Sequence, residues 1–241
     1  MVVQWIRKLE QFTKLEDDDR RALEYAAGVR TRRLAPREDI IHQGDRLQHV
    51  NLVLDGWACR YKVLEDGRRQ VLAFLVPGDM CDLRMYLLRR ADHSIGTLSQ
   101  GTVAELTPDT ITELTTLYPR LRDAFHWNSL VDEAIARESI VNLGRRNATE
   151  RMAHLFCELF IRLRAVGLVD GMTFEFPVTQ ELLSDAVGLS AVHVNRTLMD
   201  LREGKLITLK GRYLTILDLD RLASTALFNP DYLHFDGGRD P

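Results

Sequence analysis

The chain has 241 residues, a formal net charge of -3 and an apolar share of 45%, enough to bury the cores of two ordinary domains. A protein basic over its whole surface is excluded, so a nucleic-acid partner would require positive charge gathered on one face. Three scattered cysteines, Cys59, Cys81 and Cys157, exclude a disulfide framework and a four-thiolate cluster; with no long apolar run for a leader or membrane span, a cytoplasmic protein without metal or cofactor is expected.

Val3, Ile6, Leu9 and Phe12 recur at helical spacing and predict a short amphipathic helix at the start of the chain. Asp17–Val29 predicts a second, ending near Gly28. From Arg32 to Leu106 the texture changes to short apolar runs at residues 39–41, 50–54, 71–76, 94–98 and 102–106. Between them fall turn signals such as Asp55-Gly56, Asp66-Gly67 and Pro77-Gly78-Asp79. Short strands at regular spacing with a turn signal between them predict a small antiparallel barrel or roll.

Thr107-Pro108-Asp109 reads as a helix start, with Thr107 as cap and Pro108 at the first helical position. After Pro119 neither Pro nor Gly appears until Gly144, which predicts a long helix. Along it Leu121, Phe125, Asn128, Val131, Ile135, Glu138 and Val141 fall roughly on one stripe. So narrow a stripe on so long a helix favours a homodimer seam, with Asn128 helping to set register. The alternative is a helix packed on its own domain. Gly144-Arg145-Arg146-Asn147 reads as a joint. The expected division therefore places the roll with its flanking helices at 1–117, the long helix and its joint at 118–144, and a further domain at 145–241, with residues 236–241 frayed.

Thr179 caps a short helix that Gly188 breaks, and Ser190 caps the next, over residues 191–202. Small Ser184 lets the two helices approach, Gly188 makes the turn, and Val194 locks the second helix onto the first, which is the rhythm of a helix-turn-helix. Leu183, Val187, Leu189, Val194, Leu198 and Leu201 form the expected buried side. Ala191, Val192, His193, Asn195, Arg196 and Met199 then face outward. Arginine forks onto guanine, asparagine pairs with adenine and apolar groups meet the thymine methyl, so Arg196, Asn195, His193 and Val192 are candidates for base readout. Two short strands around Lys210-Gly211-Arg212 read as a wing. Lys205, Lys210 and Arg212, with the cap residues Thr179 and Ser190, are candidate phosphate contacts. Asp200, Glu203, Asp218 and Asp220 dilute the positive charge nearby. The plainer reading of the same residues is an αα-hairpin with a solvated outer face.

With these pieces in order, the chain resembles the Crp/Fnr family of bacterial transcription regulators over nearly its full length. The resemblance is carried by Ile41-His42-Gln43-Gly44-Asp45, Leu52-Val53-Leu54-Asp55-Gly56, Phe74-Leu75-Val76-Pro77-Gly78-Asp79 and residues 179–207. It implies an α+β protein: an N-terminal antiparallel β-roll of the jelly-roll kind, a long central dimerisation helix, and a C-terminal winged helix-turn-helix. It further implies a homodimer on a two-fold-symmetric operator in double-stranded DNA, with reading helices about 34 Å apart. RNA polymerase is the other implied partner, and no membrane or enzymatic reaction is expected.

The departures from the family pattern bear on regulation. Members that bind cyclic AMP carry Gly-Glu-Leu after the Pro-Gly-Asp turn, then an Arg-Ser or Arg-Thr pair. Here the first stretch reads Met80-Cys81-Asp82-Leu83-Arg84-Met85, and Ala91-Asp92 stands where the pair belongs. An acid at a phosphate's docking point repels it, so no response to cyclic AMP is expected. Asp82, Arg84, Arg89 and Arg90 would line an effector pocket in this stretch. The alternative function is gating by an unidentified small molecule or by haem in the roll, where His42, His49 and His93 are lone histidines. The N-terminal cysteine cluster of the redox branch is missing. In the reading helix, Val192 replaces a glutamate common in the family, while Arg196 matches the family arginine that forks onto guanine. A cupin-like metal enzyme would need the close His-x-His spacing that His42 and His49 lack, and a sensor acting through protein contacts would show no salt-dependent DNA binding.

Overall fold

A computed structural model describes residues 2–81, 83, 87–88 and 90–235. The chain divides into two compact units. The first comprises Met1–Lys62, Ala73–Glu133 and the end of the chain from His234; the second comprises Val63–Leu72 and Ala134–Leu233.

From the N-terminus, α1 (Val3–Leu9) and α2 (Asp17–Val29) precede the strands β1 (Thr31–Leu34), β2 (Asp39–Ile41), β3 (Val50–Asp55), β4 (Ala58–Val63), β5 (Arg69–Leu75), β6 (Met80–Cys81), β7 (Ser94–Thr97) and β8 (Gly101–Leu106). They form two four-stranded sheets, ordered β1-β8-β3-β6 and β2-β7-β4-β5. Pairing is antiparallel, with Asn51 opposite Glu105 and Cys59 opposite Gly96. This is the expected roll, with β1, β4 and β6 added to the strands that the apolar runs predict.

Alternation along β3 sorts its side chains between two cores. Leu52 and Leu54 pack with Trp5, Leu9 and Leu23, with Ile111 of α3 (Pro108–Leu117), and with Phe125 of α4 (Pro119–Arg145). Val53 faces the other way, among Ile41, Ala58, Leu75 and Ile95. Trp5 stacks on Phe125 with ring centroids 5.9 Å apart. Fully burying side chains of this kind contributes roughly 2–3 kcal/mol each. Lys8 Nζ donates to Asp79 Oδ1 at 2.7 Å inside this unit, and Asp79 Oδ2 accepts from the Val76 N–H at 2.8 Å. The pair holds α1 to the Pro77-Gly78-Asp79 turn with both carboxylate oxygens satisfied, as a buried charge requires. Thr107 caps α3 by accepting from the Thr110 N–H at 3.1 Å.

The long helix is present, as the 27-residue α4, but the stripe assigned to a dimer seam is spent within the chain. Leu121, Phe125, Asn128, Val131 and Ile135 are all buried, at 8% exposure or less. Asn128 Nδ2 donates to Asp132 Oδ2 at 3.0 Å, and Glu138 Oε1 pairs with Arg146 Nη2 at 2.7 Å. Leu121 and Phe125 belong to the core beneath β3. Val141 is the apolar residue of the stripe that stays exposed; the other exposed apolar residues of α4, Trp127, Leu130, Ile140 and Leu143, lie off the stripe. This packing also moves the border between units into α4, between Glu133 and Ala134, rather than to residue 144.

The second unit contains α5 (Ala148–Ala165), β9 (Thr173–Glu175), α6 (Gln180–Val187), α7 (Ala191–Glu203), β10 (Ile207–Lys210), β11 (Tyr213–Ile216) and α8 (Leu219–Ala226), then a single 3-10 turn at Pro230–Leu233. Its strands order β10-β11-β9. Asn147 opens α5 as a capping box with Glu150. Phe156 meets Phe176 edge-on at 5.5 Å, and Phe160 meets Phe174 at 6.3 Å, joining α5 to the sheet region. Leu189, expected on the buried side of the helix pair, is half-buried.

A candidate nucleic-acid interface

Two capped helices and a wing build the candidate reading surface. Thr179 Oγ1 accepts from the Leu182 N–H at 3.2 Å and starts α6. Gly188 ends it in the left-handed region at φ +63, a conformation that costs glycine little. Arg151 Nη1 donates to the carbonyl of Val187 at 2.5 Å, which satisfies a carbonyl at the helix end. Ser190 Oγ then accepts from the His193 N–H at 3.3 Å and starts α7.

Leu183, Val187, Val194, Leu198 and Leu201 are buried, as the spacing predicts. Thr197 joins them, its hydroxyl turned back onto the carbonyl of His193 at 2.9 Å. The opposite face of α7 is open. Val192 is 82% exposed, and Ala191, His193, Asn195, Arg196 and Met199 are exposed with it. Arg196 has no intramolecular hydrogen bond or ion pair among the described residues, so its five donors remain available. Asn195 Nδ2 lies 3.5 Å from Gln180 Oε1. This places Gln180, in the first turn of α6, beside the reading face; its position straight after the cap was the available signal.

In the wing, Lys210 stands opposite Tyr213 across the two-residue loop Gly211-Arg212. Gly211 has φ +59, which suits the first loop position of a II′ hairpin turn. Lys210 is exposed and without a side-chain partner among the described residues. Arg212 differs from the expectation of a free phosphate contact, because its guanidinium is ion-paired with Glu175 of β9. Lys205 is exposed and follows α7 with φ +54. Of the acids that dilute the charge, Asp218 has a structural reason: its Oδ1 accepts from the Arg221 N–H at 3.0 Å and caps α8. Arg221, also exposed, donates to the carbonyl of Gly204 at 3.3 Å.

Of the residues expected to line an effector pocket, Asp82, Arg84 and Arg89 lie outside the described residues. Arg90 donates to the carbonyl of Gly44 at 2.7 Å and ties the neighbouring turn. Ala91 is buried in the roll core. Asp92 Oδ1 lies 2.7 Å from His93 Nδ1, and this bond holds the Asp92 carboxyl below its usual range. Arg60 Nε donates to His93 Nε2 at 3.1 Å, so both ring nitrogens of His93 are engaged. His42 Nε2 lies 3.1 Å from Asp39 Oδ2. Among the described residues no group of three or more His, Cys, Asp or Glu side chains could hold a metal. All three cysteines are buried and none is in a disulfide, and burial pushes the Cys157 thiol up to about 12. No helix among the described residues is long and apolar enough to cross a membrane.

Residues 150–225 match the Crp-like helix-turn-helix domain and residues 31–117 the cyclic nucleotide-binding domain. The nitrogen fixation regulation protein FixK of Bradyrhizobium diazoefficiens is 31% identical over 191 residues, covering 78% of each chain. The transcriptional activator FnrL of Cereibacter sphaeroides is 28% identical over 205 residues, 78% of this chain and 77% of that one. The solved structure of FixK2 from Bradyrhizobium japonicum shares the fold, with TM-score 0.71 at 22% identity over 81% of this chain and 96% of that one. The chain belongs to the Crp/Fnr family: it is a DNA-binding transcription regulator and not an enzyme.

Proposed function

We propose that the protein works in the cytoplasm as a homodimer on a two-fold-symmetric operator, with α7 of each copy in a major groove and no dependence on cyclic AMP. The observation that carries this reading is Arg196, exposed and without an intramolecular partner on the outward face of the Ser190-capped helix. Arg196 takes a guanine edge, Asn195 and His193 reach neighbouring bases, and Val192 lies against a thymine methyl. Thr179, Ser190, Gln180, Lys205 and Lys210 hold phosphates, with Arg212 assisting from its pair with Glu175. Exposed Trp127, Leu130, Ile140 and Val141 of α4 supply apolar surface for a second copy. RNA polymerase is the partner that the DNA-bound dimer presents itself to.

Independence from cyclic AMP is supported by Ala91 in the core and by Asp92, whose negative charge stands where a phosphate-binding pair is needed. The alternative is gating by another small molecule in the roll.

Selection of bound sequences from random DNA, using effector-free protein, tests the reading. A two-fold-symmetric site is expected, with affinity unchanged on adding cyclic AMP. Arg196→Ala should cost about 1–3 kcal/mol on that site and relax preference at one base pair. Equal binding of every operator variant by Arg196→Ala and parent would overturn the assignment of α7.

A further inference from the structure

At the edge of the roll a pocket of about 160 Å³ opens between β1, the β2–β3 loop, β3 and β8. It shares no lining residue with the stretch from Met80 to His93. Asn51 lies in its wall, on the inward side of β3 with Val53, and is only 5% exposed. The carboxamide of Asn51 makes no hydrogen bond among the described residues. The amide is not among the sealed, unmatched atoms of the fold, so it keeps contact with the open space of the pocket and offers an uncommitted donor and acceptor there. Arg32 adds one buried donor. Its Nε is buried and makes no hydrogen bond, although Glu105 Oε1 lies 3.2 Å away.

The charges around the pocket are unequally committed. Glu105 Oε2 already pairs with Arg30 Nε at 2.5 Å, and Asp45 Oδ2 accepts from the His42 N–H at 2.9 Å. Arg46 and His49 line the same pocket with no intramolecular partner among the described residues. Arg32 is ion-paired with Glu105 and donates through Nη2 to the carbonyl of Ile40 at 3.2 Å, so the uncommitted chemistry is the Arg46 guanidinium, the His49 imidazole and the Asn51 amide, which together favour an anion. The nearby carboxylate of Glu105 opposes a dianion, and Asn51 asks for a polar group beside the charge. A cavity of about 150 Å³ accommodates benzene, so the room suits a ligand on the order of ten non-hydrogen atoms or fewer.

We propose that this pocket binds a small organic monocarboxylate, its carboxylate held by Arg46 and His49 and its second polar group by Asn51. The proposal takes up the reading in which the roll holds an effector, and it does not depend on DNA binding. Titration calorimetry on the full-length protein without DNA, using lactate, pyruvate and inorganic phosphate separately, tests it. Lactate or pyruvate should bind saturably and more tightly than phosphate. Arg46→Gln alters an exposed side chain and should weaken that binding about tenfold or more, the loss of one charge-assisted bond, with the melting temperature unchanged. Asn51→Ala should weaken it as well. The proposal is overturned if neither carboxylate binds saturably up to about 10 mM, if phosphate binds in preference, or if Arg46→Gln binds as the parent does.

Discussion

The two units keep their chemistry on opposite sides of their surfaces. In the second, the groups proposed to read DNA point outward: Val192, Asn195, Arg196 and Lys210 are all exposed. In the first, the polar groups are folded inward. Lys8 and Asp79 pair inside it, His93 is 7% exposed and Asn51 is 5% exposed. An outward site needs only a rigid platform, whose caps and apolar lock lie within one short stretch of chain, from Thr179 to Val194. An inward site is assembled by strand pairing between distant residues, and each polar group there must find a partner or a ligand.

The largest expected effect tests whether the units behave separately. Leu198, 1% exposed, anchors α7. Leu198→Ala should destabilise the second unit by about 2–5 kcal/mol through lost burial and the cavity left behind. The chain's three tryptophans, Trp5, Trp57 and Trp127, all lie in the first unit. The helical circular-dichroism signal of the variant should therefore begin to fall at a denaturant concentration where tryptophan emission is still native. Coincident transitions would show one cooperative body and break the comparison.

The second effect concerns the polar cluster that the reader does bury. His154 is held neutral, its pKa pushed down to about 4 by burial and by the charge of Arg146, with Glu138 opposing. His154 Nε2 lies 3.3 Å from Glu138 Oε1 without the alignment for a hydrogen bond. The unfolded chain takes up this proton near pH 6.5 and the folded one only near pH 4, so stability is full above pH 6.5 and declines as the pH falls towards 4. The loss over that window is on the order of 2–3 kcal/mol. Denaturant melts between pH 7 and 5 should show it, and His154→Gln should flatten the slope there. A slope unchanged in the variant would assign the acid sensitivity to carboxylates instead.

The same contrast explains what the sequence made legible. Thr179, Gly188, Ser190 and Val194 each act on neighbours within a few residues, so their roles can be read in order along the chain. Glu175 cannot be read that way, because it meets Arg212 from 37 residues away across the sheet. The stripe through Leu121 and Phe125 showed that α4 has a buried face but not what covers it, and Trp5 and β3 cover it instead of a second chain. β1 carries two arginines and lies at a sheet edge, where alternation of apolar residues is not demanded. Asn51 did leave a signal, as the one polar residue in Val50-Asn51-Leu52-Val53-Leu54 at the inward period of two. Its meaning depended on Arg32 and Glu105, which only strand pairing brings near.

A smaller effect sharpens the account of the outward site. Thr179→Ala removes the acceptor for the Leu182 N–H at the start of α6. It should cost about 1 kcal/mol, visible as a shift in the denaturant midpoint and as faster amide exchange at Leu182. Thr179→Ser should restore most of it. If Ser fails to rescue, the methyl group of Thr179 rather than its oxygen is what the helix start requires.

The smallest expected effect separates two cations that look alike in sequence. Each phosphate contact releases counterions, so log K against log salt steepens by about one unit per contact. Lys210 has no acid partner among the described residues, so Lys210→Ala should reduce the slope by about one and weaken all DNA sequences alike. Arg212 is already neutralised in part by Glu175. Arg212→Ala should therefore change the slope by less than Lys210→Ala, and Glu175→Gln should steepen it by freeing the guanidinium. Affinity titrations of the three variants on one operator at several salt concentrations give the order directly. An Arg212→Ala slope change equal to that of Lys210→Ala would mean that the guanidinium leaves Glu175 for phosphate when DNA is present, and that the wing is rearranged by binding rather than set in advance.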